Sequence, residues 1–417
     1  MINRISQIGR LLAVATLVAG LGADVYAAPA YKAAVKAAQK TAPKKEPPKK
    51  DEPPISAPHA ILIDADYGAV LFDRAADQLI FPASLAKLMT AEYVFHELKE
   101  GRLNRTDEFM VSENAWRKGG APSHGSTMFA TLNSKVPVGD LLRGVIIQSA
   151  NDACIVLAEG IAGSEADFAE KLTKRAREIG LSKSIFGNSN GLPDPGTKVT
   201  SRELAMLARH IIRNYPEFYP IYSEREFTWN KIRQQNRNPL LTMNVGADGM
   251  KTGFTKEAGY GLVGSAVQNG LRLIVVVNGL STANARADEA KKLLEWGYRN
   301  FDQRILFAEG QTIGAAKVYG GASGHVDLVA PSQVRVMLPK SGAEKLIARI
   351  VYNGPVPAPV VRGQPIGALK VWRSDNLILE MPLKAAEDVG KGGLPRRAFD
   401  AVTEMVIALF RAGAQRL

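Results

Sequence analysis

Cysteine is almost absent: Cys154 stands alone among 417 residues, so no intrachain disulfide can form and packing must hold the fold. Its neighbours Ala153, Ile155, Val156 and Leu157 are apolar, which predicts a buried, inert thiol. Histidine is scarce too. His59, His96, His124, His210 and His325 are scattered without ligand spacing and give no sign of a metal centre. No glycine-rich nucleotide loop occurs, so the residues call for no cofactor. Aromatic residues make up 7% and charged residues 23%, ordinary values that exclude a disordered or fibrous chain. The apolar run from Leu11 to Leu21 falls short of the roughly 20 residues that span a bilayer.

That run lies between Arg4, Arg10 and the small-residue site Val25-Tyr26-Ala27. The pattern predicts a secretory signal over 1–27, cut after Ala27, with a membrane anchor as the alternative. From Ala28 to about Ala57 the chain is mostly Ala, Lys and Pro and reads as a solvated tether. The net charge of +12 would suit a polyanion, but much of it sits at the two ends. Lys32, Lys36, Lys40, Lys44, Lys45, Lys49 and Lys50 crowd the tether, and Lys384, Lys391, Arg396, Arg397, Arg411 and Arg416 lie near the C-terminus. This distribution argues against nucleic-acid binding.

With 46% apolar residues the chain can bury more than one core. His59 to Phe72 reads as strand, turn and returning strand. Helical periodicity begins after Pro82 (Leu85, Leu88, Met89, Tyr93, Val94) and recurs from Val138, Glu165 and Thr200. Strands are predicted over Gly249 to Phe254, Tyr260 to Val267 and Leu271 to Leu280, then a helix from Asn284 to Trp296. This order predicts an α+β domain over 58–300, one antiparallel sheet with helices on both faces. Short β-rich runs between glycines and prolines predict a small all-β, sandwich-like domain over 301–390. The segment 394–417 places Phe399, Val402, Val406, Leu409, Phe410 and Leu417 on one helical face, as expected of an amphipathic helix lying on a membrane or docked on the protein's own core.

Three short motifs carry chemistry. Pro82-Ala83-Ser84-Leu85-Ala86-Lys87 puts a serine at a helix start and a lysine three residues on, so both project from one face. A desolvated lysine there can take the serine's proton. Taken alone, the motif is equally a capping serine with a surface lysine. Ser149-Ala150-Asn151 ends an apolar helix and offers a hydroxyl for proton relay and an amide for holding a peptide; by itself it is an ordinary helix-end turn. Lys251-Thr252-Gly253 opens a predicted strand, with a cation and a hydroxyl for a carboxylate and a glycine that admits a substrate backbone.

In this order the three motifs resemble the S-x-x-K, S-x-N and K-T-G set of the penicillin-binding proteins and serine β-lactamases. The chain looks most like the low-molecular-mass D-alanyl-D-alanine carboxypeptidases, with further matches at Asn190-Gly191-Leu192-Pro193, Asn236-Arg237-Asn238 and Asp248 to Thr255. The resemblance implies a β-lactamase/transpeptidase-like catalytic domain. It makes Ser84 the nucleophile, Lys87 its base, Ser149 a proton relay and Asn151 a ligand of the substrate amide. Lys251, Thr252 and Arg286 would surround the terminal carboxylate beside Gly253, and the backbone N–H groups of Ser84 and Phe254 would form the oxyanion hole. Ala150 and Phe254 depart from the residues relatives commonly carry. The implied substrate is the peptidoglycan stem peptide, with β-lactam antibiotics as covalent inhibitors. The implied location is the periplasmic face of the bacterial inner membrane, with the C-terminal helix on the membrane surface. A DD-endopeptidase and a non-catalytic wall-binding scaffold are the alternatives. A β-lactamase is disfavoured because no glutamate can be assigned as a deacylating base.

Overall fold

A computed structural model of the chain describes residues 52–341, 345–374, 376–402 and 405. The expected signal, nearly all of the tether and the end of the C-terminal helix lie outside them. The catalytic sheet is built from β1 (His59–Asp64), β2 (Val70–Arg74), β3 (Ala247–Thr255), β4 (Gly259–Gln268) and β5 (Leu271–Leu280). Its order is β2-β1-β5-β4-β3, antiparallel throughout, with β3 at an edge.

The two-residue period of a strand explains why helices cover both faces. Ile61, Ile63, Val263, Ile274 and Val276 point into one apolar cluster, and Ala60, Leu62, Leu262, Leu273, Val275 and Val277 into the other. The first cluster is filled by α1 (Lys87–Lys99), α2 (Asn151–Ala162), α3 (Glu165–Glu178) and α4 (Ser201–Asn214); the second by α5 (Ala283–Asn300). Ser164, Thr200 and Thr282 start α3, α4 and α5 by accepting from the N–H groups of Asp167, Glu203 and Ala285. The fold begins earlier than the tether reading placed it: Ile55 and Ala57 are buried in the α5 cluster, and the Ala57 N–H donates to Glu289 at 3.2 Å.

The first half of α1 is enclosed on every side, with Leu88, Met89, Ala91, Val94 and Phe95 buried along with Thr90 and Glu92, while its last turn reaches the surface at Lys99. Glu92 is fully buried. It accepts from Arg175 on α3 (3.0 and 3.1 Å), from the Tyr215 hydroxyl at 2.9 Å, and pairs with His210 on α4 at 3.1 Å. Burial alone would raise its carboxyl, but the bonds from His210 and Arg175 and the Arg175 charge hold it below the usual carboxylate range.

The β-rich part follows α5 directly. Its strands are β6 (Phe301–Phe307), β7 (Thr312–Tyr319), β8 (His325–Val329), β9 (Val334–Pro339), β10 (Leu346–Tyr352), β11 (Val356–Pro357), β12 (Pro365–Arg373) and β13 (Asn376–Ala385). One sheet runs β10-β12-β13-β8-β7-β11, and the β6–β9 pair shares its core. The β1–β2 turn is embedded in this domain: Ala69 is buried in its apolar cluster and the Tyr67 hydroxyl donates to the Gln333 carbonyl at 3.4 Å. The chain is helical again over 394–402. Among the described residues no helix is long and apolar enough to cross a membrane.

Replacing Glu92 with Ala removes one side of a buried charge network, an effect of about 3 kcal/mol. The expected result is a fall of roughly 6–12 °C in Tm, read by thermal unfolding at neutral pH. A fall under about 2 °C would show that Glu92 does not hold α1 in place.

Candidate active site

Ser84 sits in a 3₁₀ turn, Ala83–Ala86, that runs into α1 at Lys87. The sequence places it on the α-helix itself; the tighter turn matters because side chains three residues apart eclipse one another in a 3₁₀ helix. Lys87 Nζ is thereby brought 2.9 Å from Ser84 Oγ. Ahead of it, Ala83 takes a left-handed φ of 48°.

Lys87 is only 1% exposed, and its Nζ also donates to Asn151 Oδ1 at 2.8 Å and to the Asn190 carbonyl at 2.6 Å. Those two oxygens can only accept, so a neutral amine spends both its hydrogens on them and turns its lone pair to Ser84. Burial pulls Lys87 down to about 8; Cys154 and Asp152 oppose this, and the Arg237 charge adds to it. The geometry and the charge state therefore favour a general base at Ser84.

The Asn190 carbonyl is held by a loop pressed against the nucleophile's turn. Gly191 has φ +75°, and a Cβ there would lie 1.9 Å from the Ala83 carbonyl oxygen, so no other residue fits. The Thr90 hydroxyl, one turn along α1, donates to the Ser189 carbonyl at 2.6 Å.

Ser149 ends the helical segment Val138–Gln148 in a left-handed conformation, φ 63°, which frees Asn151 to begin α2. Ser149 Oγ is buried without a hydrogen-bond partner and makes no bond to Ser84, Lys87 or Lys251. Because Asn151 turns its Oδ1 to Lys87, its amide nitrogen points elsewhere, towards Gly125. Asp152 anchors the loop above. It accepts from the Thr127 hydroxyl at 2.6 Å and from the N–H groups of Met128 and Ala130 at 3.0 and 3.1 Å.

Lys251 on β3 is 2% exposed and its Nζ donates to the Thr252 carbonyl at 3.1 Å. Burial holds its ammonium well below the usual lysine range, with Lys87, Arg237 and Arg286 adding like-charge repulsion. Thr252 is buried beside it. At Gly253 a Cβ would lie 3.0 Å from the Pro82 carbonyl oxygen and 3.1 Å from the Leu85 nitrogen, so the turn that carries Ser84 packs tightly against this strand. Phe254 is 49% exposed and stacks on Tyr260 at 4.1 Å. The Arg286 guanidinium lies 5.5 Å above the same Tyr260 ring, with Nε buried and unpartnered.

Sequence reasoning gave no role to Asn190, Arg237 or Asp152, and only the first two lay in noted motifs. Arg237 donates to Ser126 Oγ at 2.7 Å, and the Asn151 N–H to the Ser126 carbonyl at 2.7 Å. Cys154 is fully buried, and burial pushes its thiol up to about 12.

If Lys87 is the base it can act only when neutral, so reactivity of Ser84 towards a β-lactam should rise with pH and reach half its maximum near pH 8. Replacing Arg237 with Gln removes a charge that depresses Lys87 and should move the midpoint upward. Second-order labelling rates across pH 6–10 measure both; a flat profile would exclude Lys87 as the base.

Known proteins fit this geometry. Residues 45–282 match the family described as D-alanyl-D-alanine carboxypeptidase, and residues 301–391 match the C-terminal domain of penicillin-binding protein 5. The D-alanyl-D-alanine carboxypeptidase DacA of Haemophilus influenzae is 40% identical over 86% of this chain and 91% of that protein. DacC of Escherichia coli is 39% identical over 84% and 89%. The crystal structure of penicillin-binding protein 5 from Haemophilus influenzae superposes with a TM-score of 0.73 at 39% identity, over 82% of this chain and all of that one. With a serine, a buried lysine and an edge strand in this arrangement, and matches along both folded parts, the chain belongs to the D-alanyl-D-alanine carboxypeptidase family of serine peptidases.

Proposed function

We propose that this protein removes the terminal D-alanine from peptidoglycan stem peptides through an acyl-enzyme on Ser84. The observation that carries the reading is the three-way hydrogen bonding of Lys87, which leaves its lone pair for the Ser84 proton. Neutral Lys87 takes that proton as Ser84 Oγ attacks the carbonyl carbon of the penultimate D-alanine. The oxyanion that forms is received by the N–H groups of Ser84 and Phe254, each such donor worth about 3 kcal/mol. The C–N bond breaks and D-alanine leaves with a proton delivered through Ser149, whose buried hydroxyl is free for that relay. Water then attacks the ester and restores Ser84.

Lys251, Thr252 and Arg286 receive the terminal carboxylate. Lys251 is buried and Arg286 partly so, with neither in an ion pair among the described residues, so an anion is favoured there. Asn151 donates its amide to the peptide. A β-lactam acylates the same serine; a relative, penicillin-binding protein D2 of Listeria monocytogenes, is known in an ampicillin-bound form at 30% identity. The β-rich second domain favours this reading over an endopeptidase, and the unbroken motifs at Ser84, Ser149 and Lys251 favour it over a scaffold.

The protein is exported and held at the periplasmic face of the inner membrane by its C-terminal helix. In the described part of that helix Leu394, Phe399, Val402 and Met405 are 58–78% exposed, while Asp400 accepts from the Gly320 N–H at 2.8 Å. The polar face meets the β-domain and the apolar face is turned outward, which favours a membrane over docking on the protein's own core.

Substituting Ala for Ser84 is expected to abolish both D-alanine release and covalent penicillin labelling; persistent labelling would mean that another residue is the nucleophile. Deleting residues 394–417 should move the protein from the membrane fraction to the soluble fraction with D-alanine release intact. A truncated protein that still pellets with membranes would place the anchor elsewhere.

A further inference from the structure

Arg286 is a cation with little to hold it. It lies near the N-terminus of α5, where the helix already carries partial positive charge and no acidic residue stands in the first turn to offset it. Its side chain makes no hydrogen bond or ion pair among the described residues, and Nε is buried without a partner. The guanidinium carbon instead lies 5.5 Å from the centre of the Tyr260 ring. Arg286 is also close enough to Lys251 for its charge to be felt there, which puts it beside the anion site.

The sheet places that ring. Phe254 on β3 and Tyr260 on β4 are directly opposed in the antiparallel register, so their side chains leave the same face. Gly253 meets the turn of Ser84, so Thr252 and Phe254, one residue to either side, project to the opposite face. Tyr260 packs there against the apolar cluster that α5 fills. The Phe254 and Tyr260 rings stack at 4.1 Å with their planes 26° apart, which fixes the plane that the guanidinium meets. Resting on the function proposed above, we infer that Tyr260 is a positioning residue that holds Arg286 where the terminal carboxylate of the substrate arrives, and that the exposed Phe254 ring serves the same end by fixing Tyr260. An aromatic face orients a guanidinium without neutralising it, so the full charge stays available to the anion. An acidic partner would cancel it.

The test is a double-substitution cycle on D-alanine release from a D-alanyl-D-alanine peptide by the full-length protein, with active sites counted by covalent penicillin labelling. Tyr260→Leu is expected to lower kcat/KM roughly tenfold, the scale of a cation held over an aromatic face. The loss should fall in KM, because the carboxylate is bound alike in the ground and transition states. Tyr260→Phe, which keeps the ring, should stay within about twofold of the native protein. In an Arg286→Ala background Tyr260→Leu should change kcat/KM by less than about twofold. Phe254→Leu is a second probe that leaves Tyr260 in place; its loss, about threefold, should also vanish without Arg286. Losses of equal size with and without Arg286, a native KM in Tyr260→Leu, or a Tyr260→Phe variant as impaired as Tyr260→Leu would each overturn the inference and leave the parent reaction standing. A native KM in Arg286→Ala would remove Arg286 from the anion site and the inference with it, whereas a native protein that releases no D-alanine would overturn the reaction itself.

Discussion

A lysine with no access to water must either lose its charge or be surrounded by acceptors, and most of the catalytic domain is arranged around that requirement at Lys87. Its acceptors come from far apart in the chain: Asn151 from the start of α2 and the Asn190 carbonyl from a loop after α3. Each of those segments is in turn fixed by its own bonds, through Asp152 to the 127–130 loop and through Thr90 to Ser189. A shift of any of them would return a proton to Lys87 or leave it charged without a partner. The rigidity of the helical layer and the basicity at Ser84 are therefore one property.

Electrostatics extend the same theme. Lys87 and Lys251 are both lowered in proton affinity chiefly by burial; Arg237 adds to the effect on each, and Lys87 and Arg286 add to it at Lys251. Positive charge buried at Lys251 beside Arg286 is costly by itself, and a carboxylate nearby would offset that cost.

The second domain is joined to the catalytic domain through the β1–β2 turn. Asp64 caps that turn by accepting from the Asp66 and Tyr67 N–H groups, Arg209 from α4 holds the Ala65 and Asp66 carbonyls, and Tyr67 and Ala69 enter the β-domain. The two parts thus share this hairpin.

Much of this was legible in the residues because it is local. Continuous apolar runs in His59–Asp64 and Leu271–Leu280, helical repeats after Pro82 and Thr200, and the spacing of Ser84 and Lys87 are short-range patterns that depend on strand and helix geometry alone. The contacts that complete the site are long-range, and no spacing encodes them. That Asn190 offers its backbone rather than its side chain, that Gly253 packs closely against the Pro82–Leu85 turn, and that Ser149 Oγ is buried without a partner among the described residues all follow from how separate segments pack. Sequence settled which side chains were available and which element carried each. Packing settled which of them lost water, and since desolvation is a property of the surrounding atoms and not of the residue, the proton affinity of Lys87 was decided only in the folded protein.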